Sequence, residues 1–213
     1  MKNILVTGAK GNLGNAVVKA FLQNNHKVIA CISLKDKELG IDHPDVSVFS
    51  IDLNDSDACN VFSQSIFSQY KTIDAAVLTV GGFIPGNMEA VTIADFEKMI
   101  ALNFYTAFNL VQPLIKQMKQ QISGGKIILI GSGPGKDVTK GKGSVAYGFS
   151  KSLVFRLAEL INEEGKEKSI TAHVIVPTTI DTPQNRAAMP NADFSKWESP
   201  ESIALKIMEI SLP

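Results

Sequence analysis

The chain has 213 residues, 45% hydrophobic and 20% charged, with 21 Lys and Arg against 21 Asp and Glu. At roughly 150 residues per domain this is one generous domain, able to bury about 70% of its unfolded surface without disulfide or metal staples. Zero net charge leaves no footprint for nucleic acid or an anionic membrane, and no run reaches the ~18 apolar residues that span a bilayer.

The first apolar run, 2–7, is too short for a signal peptide and reads as a strand buried on both faces. It feeds into Thr7-Gly8-Ala9-Lys10-Gly11-Asn12-Leu13-Gly14, which opens a helix predicted over 12–24. Gly8 and Gly11 allow a tight turn and a close ligand approach, and Gly14 lets the helix pack on the sheet. Free N–H groups at such a helix start face a diphosphate, so Gly8, Lys10, Gly11, Asn12, Leu13 and Gly14 are expected dinucleotide contacts. A Walker loop is excluded, because Gly135-Lys136 is followed by Asp137 and position 130 is Ile.

The second strand, Lys27–Ile32, carries Cys31 as a small core residue. Neither Cys31 nor Cys59 has metal-ligand spacing to His26, His43 or His173, so no metal site is expected. A carboxylate after this strand binds a free ribose 2′-OH; here Ser33 stands in its place, with Lys35, Lys37 and Lys10 close by. A hydroxyl among ammonium groups suits a 2′-phosphate and favours NADP(H) over NAD(H), with Asp36 left open as a ribose acceptor. After the third strand, Val46–Ser50, Asp52-Leu53 is placed to meet an adenine ring, or else Asp52 begins the turn into the next helix, Ser56–Tyr70. With no export signal the Asn54-Asp55-Ser56 sequon reads as coincidental, and the chain as soluble and cytoplasmic.

The fourth strand, 75–80, precedes a helical segment over 93–121 that Pro113 is expected to bend or break. Asn103 is polar among apolar neighbours there and is placed to hold a water near Lys151. The fifth strand, 126–130, runs into Gly131-Ser132-Gly133, where Ser132 can donate to a substrate carbonyl or imine. A serine-hydrolase elbow would need glycine where Ile130 stands. In the helix over 145–164, Tyr147 and Lys151 lie at i and i+4 on one face. A nearby cation favours the phenolate and lowers its pKa from ~10; Lys151 can also bond a nicotinamide ribose. Phe149, Leu153, Leu157, Leu160 and Ile161 form one apolar stripe, and Val154, Phe155 and Ala158 extend it to a second side, which predicts a second subunit. A sixth strand, 170–176, and a helix over 200–210 complete the alternation. It implies one doubly wound parallel α/β (Rossmann) domain over 1–213, with helices on both faces.

These residues resemble the short-chain dehydrogenase/reductase family over essentially the whole chain. The resemblance rests on the glycine turn, Asp52, Val80-Gly81-Gly82, Asn103, Ser132, Tyr147-Gly148-Phe149-Ser150-Lys151 and Pro177-Thr178-Thr179-Ile180-Asp181-Thr182-Pro183. It implies Tyr147 as catalytic acid, Lys151 as its activator, Ser132 as substrate polariser and Asn103 as relay. Val80, Gly81 and Gly82 would border the cofactor, and Pro177, Ile180 and Thr182 would hold the nicotinamide carboxamide. Within the family the quinonoid dihydropteridine reductase branch is most similar, through the glycine turn and the segment 177–197. Several positions depart from the pattern. Asn12 replaces the commonest glycine and Ser33 that branch's acid; Phe83 stands at its aromatic Trp; Ser132 lies fifteen residues before Tyr147, about two more than usual; and the last family strand has no counterpart, so six strands are expected.

The reading is an NAD(P)H-dependent reductase delivering hydride to a carbonyl or imine-like carbon. Substrate recognition falls to Phe83, Ile84, Asn185, Arg186, Met189 and Trp197 on loops near 83–90 and 182–198. Two alternatives remain: a 3-oxoacyl thioester or quinone carbonyl reductase of the same fold, and a non-catalytic dinucleotide-sensing regulator. The expected partners are a small-molecule substrate and a second copy of the chain, with a tetramer left open.

Overall fold

A computed structural model describes residues 1–212. Six strands, β1 (Asn3–Thr7), β2 (Lys27–Ile32), β3 (Val46–Ser50), β4 (Ala75–Leu78), β5 (Gly125–Ile130) and β6 (Ile170–Ile175), form one parallel sheet in the order β3-β2-β1-β4-β5-β6. The strand order reverses between β1 and β4, and ligands of open α/β sheets bind in the crevice beyond the strand ends at that point. The helices are α1 (Asn12–Gln23), α2 (Ser56–Tyr70), α3 (Ile93–Ile100), α4 (Thr106–Met118), α5 (Gly133–Lys136), α6 (Val145–Gly165), α7 (Pro183–Ala188) and α8 (Pro200–Ser211).

Strand side chains alternate between two cores. Leu5, Ile29, Ala76 and Ile127 pack with Ile66 of α2, Leu110 and Leu114 of α4 and Ile161 of α6. Ile4, Val6, Val28, Val77 and Ile128 pack with Val17 and Phe21 of α1 and Ile203 and Ile207 of α8. Burial on both faces explains why the strands are nearly continuous apolar runs. On the outer edge of β6, the Asn162 amide accepts the Ala172 N–H (2.7 Å) and donates to its carbonyl (2.9 Å), as a neighbouring strand would.

Two expectations are corrected. The segment 93–121 is not broken at Pro113, which lies buried inside α4. Leu110, Leu114 and Met118 around it are fully buried; at about 1.5–3 kcal/mol per buried side chain they outweigh the roughly 3 kcal/mol cost of proline. The irregularity sits upstream, in a π turn over Ala101–Tyr105 that carries the buried Asn103. On α6, the inward face is Val154, Leu157, Ala158 and Ile161, whereas Phe149 and Leu160 from the expected stripe are about half exposed. An i, i+3, i+4, i+7 set shares one face, which separates the two groups.

Candidate active site

A cleft of about 760 Å³ opens at the C-terminal ends of β1, β2 and β4. Its near wall is the glycine turn. Gly8 has φ +61°, and the Gly11 N–H donates to its carbonyl (2.9 Å). A Cβ on Gly14 would lie 2.1 Å from the Gly8 oxygen, so α1 reaches the sheet only with glycine there. Gly11 caps α1 without a side-chain hydrogen bond, and the first turn has no acidic residue. Uncapped N–H groups and the positive helix end therefore face the cleft, which fits a dinucleotide diphosphate.

At the far end of the cleft, Ser33, Lys35 and Lys10 line the wall together with Asp36. Asp36 lies 3.8 Å from the Lys10 ammonium and accepts the Ser33 N–H at 3.2 Å. Lys37 is exposed and not part of this wall. Asp52 and Leu53 line the same end; the Asp52 carboxylate accepts the Asn54 N–H, while Asp55 caps α2.

The other end closes on Val80 and Gly81. The Asn103 amide clamps the next residue, accepting the Gly82 N–H (2.9 Å) and donating to its carbonyl (3.1 Å) and to Ser150 Oγ (3.1 Å). Ser150 Oγ in turn donates to the Tyr147 carbonyl (2.8 Å). A Cβ on Gly81 would meet Asn103 Oδ1 at 2.7 Å and Lys151 Nζ at 3.1 Å, so the amide and the ammonium flank this glycine. Lys151 is 5% exposed and donates to the Ile130 carbonyl (2.8 Å). Burial pulls its pKa down to about 8.

Ser132 Oγ accepts the Gly135 N–H from α5 (3.1 Å). Burial pushes the Tyr147 phenol above its usual value, and Ser132 offsets this only in part. This reverses the expectation that Lys151 lowers it. The ammonium sits against Ile130 and Gly81 and is not among the causes of the shift. The Phe83 ring meets Tyr147 edge to face, centroids 5.0 Å apart.

Residues 178–198 form the far wall. Ile180, Thr182 and Asn185, the last expected at the substrate, line the same cleft as the glycine turn. Thr182 caps α7, and Asn185 Nδ2 donates to the Ile180 carbonyl. Arg186 is held in this segment, bidentate to Asp181 (2.6 and 2.7 Å), with its guanidinium 4.7 Å from the Phe194 ring centre; that ring packs on Trp197. Met189 is 40% exposed, Ile84 and Pro177 are half-buried, and Gly82, Pro177, Tyr147 and Lys151 are not among the cleft's lining residues. Thr79, Leu102 and Thr106 line the cleft without having been singled out. Thr79 was detectable as the hydroxyl preceding Val80-Gly81, whereas Ser150 and Gly135 carry no local signal.

The family model described as short chain dehydrogenase matches residues 2–193. The chain is 30% identical to the dihydropteridine reductase of Dictyostelium discoideum, over 99% of this chain and 87% of that one. It is 26% identical to the acetoacetyl-CoA reductase of an Acinetobacter strain, over 85% and 75% of the two chains. Among solved structures it is similar to ElxO with NADP bound, with a TM-score of 0.90, 23% identity and coverage of 99% and 91%.

Proposed function

From the premise that the chain belongs to the short-chain dehydrogenase family and is an oxidoreductase, we propose that it reduces a small, flat substrate with NADP(H). A quinonoid dihydropterin is the favoured substrate. The observation that carries this reading is the buried Lys151 ammonium against Gly81, where the cleft closes, in a cleft whose glycine turn fits a diphosphate. When bound, the dinucleotide supplies hydride. Gly8, Gly11 and Gly14 shape the turn so that the free N–H groups at the start of α1 would meet its diphosphate, and Asp52 and Leu53 would border the adenine. Val80, Gly81, Ile180 and Thr182 would hold the nicotinamide ring, with Pro177 just before the last two in the chain.

Tyr147 holds the proton that the substrate oxygen or nitrogen receives. Because burial raises its pKa, the phenol stays protonated through neutrality. Ser132 Oγ accepts from Gly135, which leaves its own proton to donate towards the substrate and steady developing charge. Lys151 would bond the nicotinamide ribose, and Asn103 fixes the loop at Gly81-Gly82. Phe83 and Ile84 face the substrate, with Arg186, Met189 and Trp197 shaping the opposite loop.

Ser33, Lys10 and Lys35 on the rim favour a 2′-phosphate, and the NADP bound in the similar ElxO structure is consistent with that choice. Asp36 on the same rim keeps NAD(H) as the alternative cofactor. The similarity to an acetoacetyl-CoA reductase favours acyl thioester reduction as the second reading. Exposed Tyr105 of the π turn, Phe108 of α4 and Phe149 and Leu160 of α6 support a homodimer through these faces. Free, buried Cys31 and Cys59 suit the reducing cytoplasm. Among the described residues no helix is long and apolar enough to cross a membrane.

The test is a turnover panel with NADPH and NADH against quinonoid dihydropterin, acetoacetyl thioester and a simple quinone. Fastest turnover of dihydropterin with NADPH is expected. Equal or tighter NADH binding overturns the cofactor choice, and dinucleotide binding without turnover of any substrate indicates a regulator. Sedimentation as a monomer removes the dimer.

A further inference from the structure

One side-chain hydrogen bond joins the two walls of the cleft. Asn12 Nδ2, at the start of α1, donates to Gln184 Oε1 on α7 at 3.0 Å, across 172 residues of sequence. Each partner is held by neighbours that line the cleft. Asn12 is itself a lining residue between Gly11 and Leu13, and Gln184 sits between Thr182 and Asn185.

The wall carrying Gln184 is otherwise closed on itself. The Asp181 N–H donates to the Glu198 carbonyl (2.8 Å), and the Glu198 N–H donates to the Thr179 carbonyl (3.0 Å). The Thr178 N–H reaches the Glu198 carboxylate at 2.7 Å. Arg186 ties α7 back to Asp181. These bonds brace the segment internally, and the Asn12–Gln184 pair joins it to the glycine turn.

The geometry points to a latch: Asn12 and Gln184 are positioning residues that close the cleft over the diphosphate of a bound dinucleotide and slow its release. This rests on the dinucleotide reading of the cleft. Asn12 stands where the family's turn most often has glycine, a residue with no side chain to reach the opposite wall. An exit path over the diphosphate requires the pair to part. One neutral hydrogen bond contributes about 0.5–1.5 kcal/mol, so its loss speeds release roughly two- to ten-fold.

The test uses the full chain with NADPH and stopped-flow fluorescence of NADPH release, with no substrate present. N12G, which leaves the turn backbone intact, and Q184A should each release NADPH about two- to ten-fold faster than the parent. The double variant should be no faster than either single one, because both remove the same bond. Unchanged release in Q184A, or effects that add in the double variant, overturns the latch while leaving the dinucleotide reading standing. Failure of the unmodified chain to bind NADPH or NADH overturns that reading and the latch with it.

Discussion

On one side of the cleft the chain passes from β1 into α1 through backbone alone: Gly8 at positive φ, Gly11 bonded back to it, and Gly14 packed against its carbonyl. On the other side, residues 178–198 hold their shape through side chains, with Glu198 gathering the base and Asp181 gripping Arg186. The first wall has no room for a side chain at Gly8 or Gly14. The second is exposed along much of α7 and is tied across by one pair. Segments with few buried apolar contacts open at lower free energy than core elements. A rigid wall and a more exposed wall therefore face each other across the cleft.

The largest effect is expected where neither wall is touched. Tyr147→Phe removes the proton donor while leaving the ring against Phe83. Positioned proton transfer contributes about 10²–10⁴-fold, so carbonyl reduction should fall by that factor in steady-state assays. NADPH affinity, measured by titration, should stay within about two-fold of the parent because the glycine turn is intact. A pterin substrate, already electron-poor, should show the smaller loss. Full activity in this variant would remove Tyr147 as the acid.

Gly14→Ala strikes the rigid wall. Its Cβ would sit 2.1 Å from the Gly8 oxygen and 2.7 Å from the Gly8 carbonyl carbon, both backbone atoms that cannot rotate away. Forcing an extra methyl into packed structure costs about 1–3 kcal/mol, here by pushing α1 from the sheet and spoiling the turn. The expected result is a lower melting temperature together with at least ~10-fold weaker NADPH binding, since 1.4 kcal/mol is tenfold. A variant that melts lower yet binds normally would mean that the turn does not hold the diphosphate.

What could be read before any coordinates follows the same division. Strand boundaries such as Lys27–Ile32 and Val46–Ser50, and the turn at Gly8–Gly14, are local patterns of apolar runs and glycine spacing, and they appear at those positions. The spacing of Tyr147 and Lys151 was equally legible, but spacing cannot say where an ammonium points. The Ile130 carbonyl and Gly81 decide that, one at the end of β5 and the other in the loop after β4. Ser150, Gly135 and Glu198 were invisible for the same reason, since their partners lie elsewhere in the fold. The bond of Arg186 to Asp181 was likewise not legible, since it depends on how the segment 178–198 folds.

Lys151 offers a test at the closed end. Burial brings its pKa to about 8, while Tyr147 is shifted upwards, so the alkaline limb of the free protein belongs to the lysine. Its ammonium is present below about 8 and is lost as pH rises through that value. kcat/KM for NADPH, which reports the free enzyme, should accordingly fall towards tenfold per pH unit above this point. In the unfolded chain lysine stays charged to ~10.4, so between the two values the unfolded state holds more protons and stability rises with pH. Lys151→Arg keeps a charge at all these pH values and should abolish the limb at a lower overall rate. An unchanged limb in that variant would assign it to another group.

The smallest effect is expected at the yielding wall. Glu198 accepts the Thr178 N–H, pairs with Lys206 and has its carboxyl held below the usual range by those contacts, that with Lys206 first. Its backbone bonds to Thr179 and Asp181 do not depend on the side chain. Glu198→Ala should therefore loosen residues 178–198 without releasing them. Losing one such bond at about 0.5–1.5 kcal/mol should raise amide hydrogen exchange there roughly two- to ten-fold, with exchange at the glycine turn unchanged. KM for the substrate should rise by a similar factor while kcat is retained, because Tyr147, Ser132 and Lys151 lie on α6 and the β5 loop. If exchange accelerates at both walls together, the cleft moves as one body and the division between a fixed side and a yielding side is lost.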